Sequence, residues 1–171
     1  MNLSKVSYLL LLVAGALVFS CSSATDKDEE FIATLDNFSG YSSWTKVATE
    51  YGPDALLMTA HGANDSLYRH IYFKDNQKVS NGKYPVGTII VKELKDEMGA
   101  LTGALTMMVK RGGDFNPDGD GWEWFMTSTD LTTVLTQGDN ATAGDGMCAS
   151  CHTSANVNSN GTDWVFTGNV E

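Results

Sequence analysis

Met147-Cys148-Ala149-Ser150-Cys151-His152 carries the most specific chemistry in the chain. Cys-x-x-Cys-His is the spacing at which two thiols form thioethers to the two vinyl groups of one haem while the next imidazole turns onto the iron. The physical basis is reach. A tight or short helical turn holds Cys148 and Cys151 on one side, and the adjacent His152 supplies the proximal nitrogen. A Cys148–Cys151 disulfide or half of a zinc site competes for the same thiols. Neither accounts for His152, and zinc would want two more ligands, whereas no Cys or His follows His152. The sequence therefore predicts one haem c, attached through Cys148 and Cys151, with His152 as the proximal iron ligand.

Upstream of this stretch the pattern is that of strands. Leu67 to Lys74 alternates Leu67, Arg69, Ile71 and Phe73 on one face with Tyr68, His70 and Tyr72 on the other. Gly87 to Leu94 holds the β-branched run Thr88-Ile89-Ile90-Val91, preceded by the turn residues Asn81-Gly82-Lys83-Tyr84-Pro85. Leu101 to Lys110 and Gly121 to Ser128 read as two more strands, and Asp163-Trp164-Val165-Phe166 as a short last one. The predicted fold class is mainly β (α+β): an antiparallel sheet with a few flanking helices and one covalently attached haem. There is no internal repeat.

Between Glu29 and Glu50 the apolar positions Phe31, Leu35, Phe38, Trp44, Val47 and Ala48 recur at helical spacing, which predicts one or two short amphipathic helices broken at Gly40. Tyr51-Gly52-Pro53-Asp54 reads as a turn. Asp114-x-Asn116-x-Asp118-Gly119 copies the first half of an EF-hand calcium loop. Phe125 stands where the bidentate Glu belongs and the flanks read as strands, so a hairpin loop with solvated carboxylates is the better reading.

Residues 1–20 read as an export signal: Lys5 marks a positive start, Tyr8 to Phe19 is apolar, and a cleavage position follows. The apolar run is short for a bilayer span, which takes roughly 20 residues. Val18-Phe19-Ser20-Cys21 resembles a bacterial lipoprotein signal, with Cys21 as the lipidation site, and an ordinary signal peptide is the alternative. One Cys for lipid and two for haem then use all three in the sequence. Residues 21–30 would be a lipidated flexible tether and 31–171 the haem domain. The predicted location is exported, anchored to a bacterial membrane on the periplasmic or cell-surface side. With 21 acidic against 11 basic residues in 171, nucleic acid and an anionic membrane surface are poor partners, and a basic redox partner protein suits better.

Several stretches together resemble one family. They are Ala60-His61-Gly62-x-Asn64, Arg69-His70-Ile71-Tyr72, Gly82 to Glu93 with its Tyr84-Pro85-Val86-Gly87-Thr88, Met107 to Arg111, Asp120-Gly121-Trp122-Glu123-Trp124, the Cys148/Cys151/His152 motif and Asp163-Trp164-Val165-Phe166. The chain from about residue 40 to 168 is similar to the cytochrome P-460 family, which includes the cytochromes c-prime-beta. The resemblance implies a mostly β fold, often dimeric, with one five-coordinate haem c, His152 proximal and an open distal side for small nitrogen ligands. It implies either hydroxylamine oxidation with a Lys crosslinked to the haem, or nitric oxide binding without a crosslink. Lys92 and Lys83 are the crosslink candidates within the matched stretches, and Glu93 and Glu123 are candidate distal acid/base groups. Non-enzymatic electron transfer or gas binding is the alternative function.

An open iron binds or activates small molecules, whereas an electron carrier adds a second strong ligand. His61, His70, Met58, Met98, Met107, Met108 and Met126 are the candidates for one. Met107 and Met108 are consecutive on a predicted strand, so one faces the core and the other points away. His70 falls on what reads as the polar face of its strand. None stands out.

Overall fold

The computed structural model describes residues 29–53, 64–139, 147–157 and 161–166. The predicted export signal, Cys21, Met58 and His61 lie outside the described residues. Six strands form one antiparallel sheet in sequence order. They are β1 (Thr45–Tyr51), β2 (Tyr68–Phe73), β3 (Ile89–Lys95), β4 (Leu105–Lys110), β5 (Trp122–Thr127) and β6 (Val134–Gly138). A helix, α1 (Met147–Val157), and a small hairpin of β7 (Gly161–Thr162) and β8 (Val165–Phe166) follow. The fold is mainly β, as the alternation in the sequence predicts.

Both faces of the sheet are covered, and the period-2 alternation decides what each carries. On the first face Tyr72, Ile89, Val91, Leu105, Met107, Val109 and Phe125 pack with Phe38 and Tyr41. Phe38 meets Phe125 edge-on at 5.1 Å between centroids, and Tyr41 meets Tyr72 at 5.5 Å. On the second face Phe73, Ile90, Met108, Trp122 and Trp124 pack with Tyr84, Ala149 and Val165. Met107 and Met108 are therefore both buried, on opposite faces, and neither points away into solvent.

The helices expected before Glu50 are corrected by the structure. Leu35–Phe38 and Tyr41–Ser43 are single 3-10 turns, separated at Gly40, whose φ of +70° suits glycine. Trp44 ends the second turn, and Val47 and Ala48 belong to β1, which among the described residues pairs with β2 alone. The β-bulge at Val47 sets it and its neighbour Ala48, which pairs with Ile71, on the same side of the sheet, and this break in alternation imitates helical spacing in the sequence. Asp163–Phe166 is likewise not one strand. Asp163 and Trp164 are the turn of the β7–β8 hairpin, both with positive φ.

The loop between β4 and β5 is organised by Asn116. Asn116 Oδ1 accepts from the Gly119 amide at 3.1 Å, and its Nδ2 donates to the Trp122 carbonyl at 2.8 Å. Asp114 and Asp118 are exposed, as the hairpin reading has it, but Asp120 is turned inward to Lys83 and Lys110. At the start of the domain, Glu30 accepts from Arg111 Nε at 2.6 Å, and the Phe31 amide donates to the Arg111 carbonyl. Glu30, which the sequence reading puts at the end of a flexible tether, is thus docked beside the end of β4.

Candidate functional site

Cys148 and Cys151 are three apart on α1, so they share one side of the helix, and both are free thiols. Burial pushes the Cys148 thiol up. Ala149 and Ala155 are the helix's buried contacts toward the sheet and hairpin. The approach of α1 to the hairpin depends on Gly161: a Cβ there would stand 2.1 Å from the Val165 carbonyl oxygen and 2.8 Å from Ala155 Cβ.

His152 follows Cys151 and lies among aromatic rings, 4.8 Å from Trp124 and 5.4 Å from Phe166 between centroids. Its Nδ1 is 2.7 Å from the Trp164 carbonyl oxygen. A carbonyl only accepts, so Nδ1 carries the proton and the imidazole lone pair sits on Nε2. Burial pushes the His152 pKa down to about 4, with Lys92 adding to the effect against the upward pull of the Trp164 carbonyl. The ring is neutral at physiological pH, the state in which it ligates a metal.

Beside His152 the sheet presents two cross-strand rows. Phe73, Ile90, Met108 and Trp124 form the row under α1. Ile71, Lys92, Thr106, Met126 and Thr136 form the next one, register partner to register partner from β2 to β6, and all five are only half-buried. Burial pushes the Lys92 amine down to about 7, and the Arg69 guanidinium on the same face pushes the same way.

These residues fit a haem. Two thiols one helical turn apart, a neutral imidazole with its lone pair on Nε2, a buried apolar row and a half-buried mixed row beside it are the donor set and the surface such a group needs. A further sign is Trp124, whose Nε1 is buried with no acceptor among the described residues. An orphaned buried donor costs about 1–3 kcal/mol unless a bound group accepts from it. Among the described residues no group of three or more Cys, His, Asp or Glu side chains clusters as a metal site.

The cytochrome P460 family model matches residues 38–167. The chain belongs to the cytochrome P460 family. Membership implies haem binding, and it suggests a haem protein acting on nitrogen compounds such as hydroxylamine. No curated protein and no solved structure matches the chain.

The other residues singled out in this cytochrome P460 sequence divide by face. Lys92 shares the face of α1, whereas Lys83 is exposed and paired to Asp120 at 2.5 Å. Glu93 and Glu123 point to the opposite face. Glu93 Oε2 accepts from the Tyr41 hydroxyl at 2.7 Å, and its Oε1 lies 2.9 Å from the Tyr72 hydroxyl, His70 Nδ1 and Lys95 Nζ. Glu123 accepts from Arg111 and Gln137. Neither carboxylate reaches the face carrying His152, because each is one residue out of phase with Lys92 or Trp124. His70 lies on a buried polar network, not on an open polar face.

Sequence reasoning missed Asp163, Lys110 and the Trp164 carbonyl. Lys110 Nζ bonds both Asp163 carboxylate oxygens at 2.8 and 2.9 Å, and Asp163 Oδ2 also accepts from the Tyr84 amide at 2.7 Å. Burial pushes the Asp163 carboxyl up, while Asp120, despite its own partial burial, is held down at about 2 by hydrogen bonding and by Lys83 and Lys110. The Asp-Trp pair in the sequence was the available signal, but a strand reading hid it.

Proposed function

We propose that the protein carries one covalently attached haem c, bound by thioethers to Cys148 and Cys151 with His152 Nε2 as the proximal ligand, and that it binds or oxidises small nitrogen compounds such as hydroxylamine or nitric oxide. The observation that carries this is His152, directly after the two thiols on one helical turn, neutral and with Nδ1 held by the Trp164 carbonyl. Such a group supplies an open iron position for a small ligand. The chain's residues orient the imidazole and wall it with Trp124 and Phe166, a low-dielectric aromatic wall that favours neutral ligands over anions.

Lys92 is the crosslink candidate that its placement favours. Its amine is on the face of α1 and half-deprotonated near neutral pH, when a lysine is nucleophilic, whereas Lys83 is exposed and ion-paired. Oxidation of hydroxylamine releases electrons, so this reading includes a redox partner protein, and a net charge of −10 suits a basic one. The same reading places the protein outside the cytoplasm, tethered through acylated Cys21. A haem without crosslink, binding gas or carrying electrons, is the alternative.

The test is spectroscopic. Protein made in a host with c-type maturation should keep haem through acid-acetone extraction and show a ferrous band displaced far to the red, lost in Lys92→Arg. An ordinary c-type spectrum in the wild type would assign the uncrosslinked reading, and haem stripped by extraction would defeat covalent attachment.

A further inference from the structure

We propose that the buried Lys110–Asp163 ion pair is the positioning device of the proximal histidine: it locks the Asp163–Trp164 turn so that the Trp164 carbonyl holds the Nδ1 proton of His152. This rests on the reading of His152 as an iron ligand.

The turn is unfavourable in isolation. A two-residue hairpin turn with both central residues at positive φ asks for Asn-Gly or Asp-Gly. The chain uses that chemistry at Asn81-Gly82, with φ of +51° and +77°. At the β7–β8 hairpin it places Asp163 at +51° and Trp164 at +67°, and a tryptophan pays a steric penalty there that glycine does not. Strained backbone persists where the surroundings over-determine it, and it concentrates at functional sites.

The surroundings here are specific. Asp163 is fixed through its carboxylate by Lys110 and the Tyr84 amide, and through its carbonyl by Trp122 Nε1 at 2.8 Å. Lys110 itself is buried, lies 5.0 Å over the Trp122 ring and reaches Asp120 at 3.3 Å. Anchors from β4, β5 and the loop before β3 thus converge on one residue. The next residue delivers its carbonyl to His152 at 2.7 Å and its ring to Trp124. Without the pair the turn would relax toward negative φ, and the Trp164 carbonyl would rotate off Nδ1. An acceptor on Nδ1 fixes the tautomer and ring orientation and raises the basicity of Nε2, which favours ferric over ferrous iron.

The experiment compares the haem-loaded full chain with Lys110→Met, Lys110→Arg, Asp163→Asn and Trp122→Phe, reading the ferrous iron–histidine stretch by resonance Raman and the reduction potential. Lys83→Met is the charge-matched control, since it removes one lysine from the same Asp120 without touching Asp163. Losing an outer partner of a metal-bound histidine weakens ligation about tenfold or more, and because the lost basicity is felt by ferric more than by ferrous iron, each tenfold in that ferric-over-ferrous preference is ~59 mV for a one-electron couple. The stretch should fall and the potential rise by that order in Lys110→Met and Asp163→Asn, less in Trp122→Phe, and stay near wild type in Lys110→Arg and Lys83→Met. Haem retained with stretch and potential unmoved in Lys110→Met, or in Trp122→Phe where the buried pair's variants do not fold, would overturn the proposal while leaving the haem reading intact. A wild type without covalent haem would overturn both.

Discussion

Lys92 and Glu93 are neighbours in sequence and serve opposite faces of β3. Lys92 stands on the face that α1 covers, in a half-buried row with Thr106 and Met126, whereas Glu93 is enclosed on the other face by Tyr41, Tyr72, His70 and Lys95. One residue of register thus separates a group that can meet a haem from one that holds the sheet to its N-terminal cover.

Glu93 is accordingly predicted to matter for stability and not for the site. Removing one member of a buried charged network leaves the others unpaired, so Glu93→Ala should cost about 3–5 kcal/mol. Burial raises the Glu93 carboxyl, but the bonds from Tyr41, Lys95, His70 and Tyr72 win and hold it below 4.5. A depressed carboxylate contributes stability above its unfolded value and loses it as pH falls toward its folded one. The urea midpoint gap between wild type and Glu93→Gln should therefore narrow below about pH 4.5, with the ferrous spectrum unchanged. A spectral shift in Glu93→Gln would contradict the face assignment.

Lys92 should show the opposite dependence. Its folded value is near 7 against 10.5 for an ordinary lysine, so between these the unfolded chain binds more protons than the folded one. Stability then rises with pH across that window. Relative to Lys92→Met, the wild type should gain in urea midpoint on going from about pH 7 toward pH 10, measured on chain without crosslink. A gap that is flat over this range would mean that Lys92 is solvated.

The sheet was legible because its strands alternate: Arg69, Ile71 and Phe73 do face one side, and the β-branched run does supply a strand, from Ile89 on, with buried residues on both faces. The edges were not. Val134 and Leu135 in β6 are exposed and held by backbone pairing to β5, so no apolar rhythm marks them. In the candidate site, Cys148, Cys151 and His152 were singled out from spacing alone. The choice between Lys92 and Glu93 required knowing which face α1 covers, a long-range fact. The Asp163–Trp164 turn was hidden because its residues are poor turn formers, kept there by Lys110, which lies 53 residues away in sequence.

The proposed lipid anchor gives a prediction about location. With Cys21 acylated, wild type should fractionate with membranes and take up labelled palmitate, and Cys21→Ala should be soluble with the same haem spectrum. Wild type found unlabelled in the soluble periplasmic fraction would contradict this.

The last prediction concerns the iron's second axial position, which should hold no protein ligand. His70 is tied to Glu93 on the far face, Met107 is buried on that same face, Met98 is 91 % exposed, and Met108 is packed beneath α1 with Trp124. Met126 is the one sulfur in the half-buried row with Lys92, so it is the decisive residue among those described. Met126→Leu keeps volume and removes the sulfur. The ferrous protein should be high-spin and five-coordinate by resonance Raman or magnetic circular dichroism, bind nitric oxide readily, and keep that spin state in Met126→Leu and in His70→Gln. His152→Ala should lose normal ligation while the thioethers retain the haem. Low-spin ferrous iron at neutral pH that turns high-spin in Met126→Leu would make the protein an electron carrier instead, because a thioether on the sixth position closes the iron to hydroxylamine and nitric oxide.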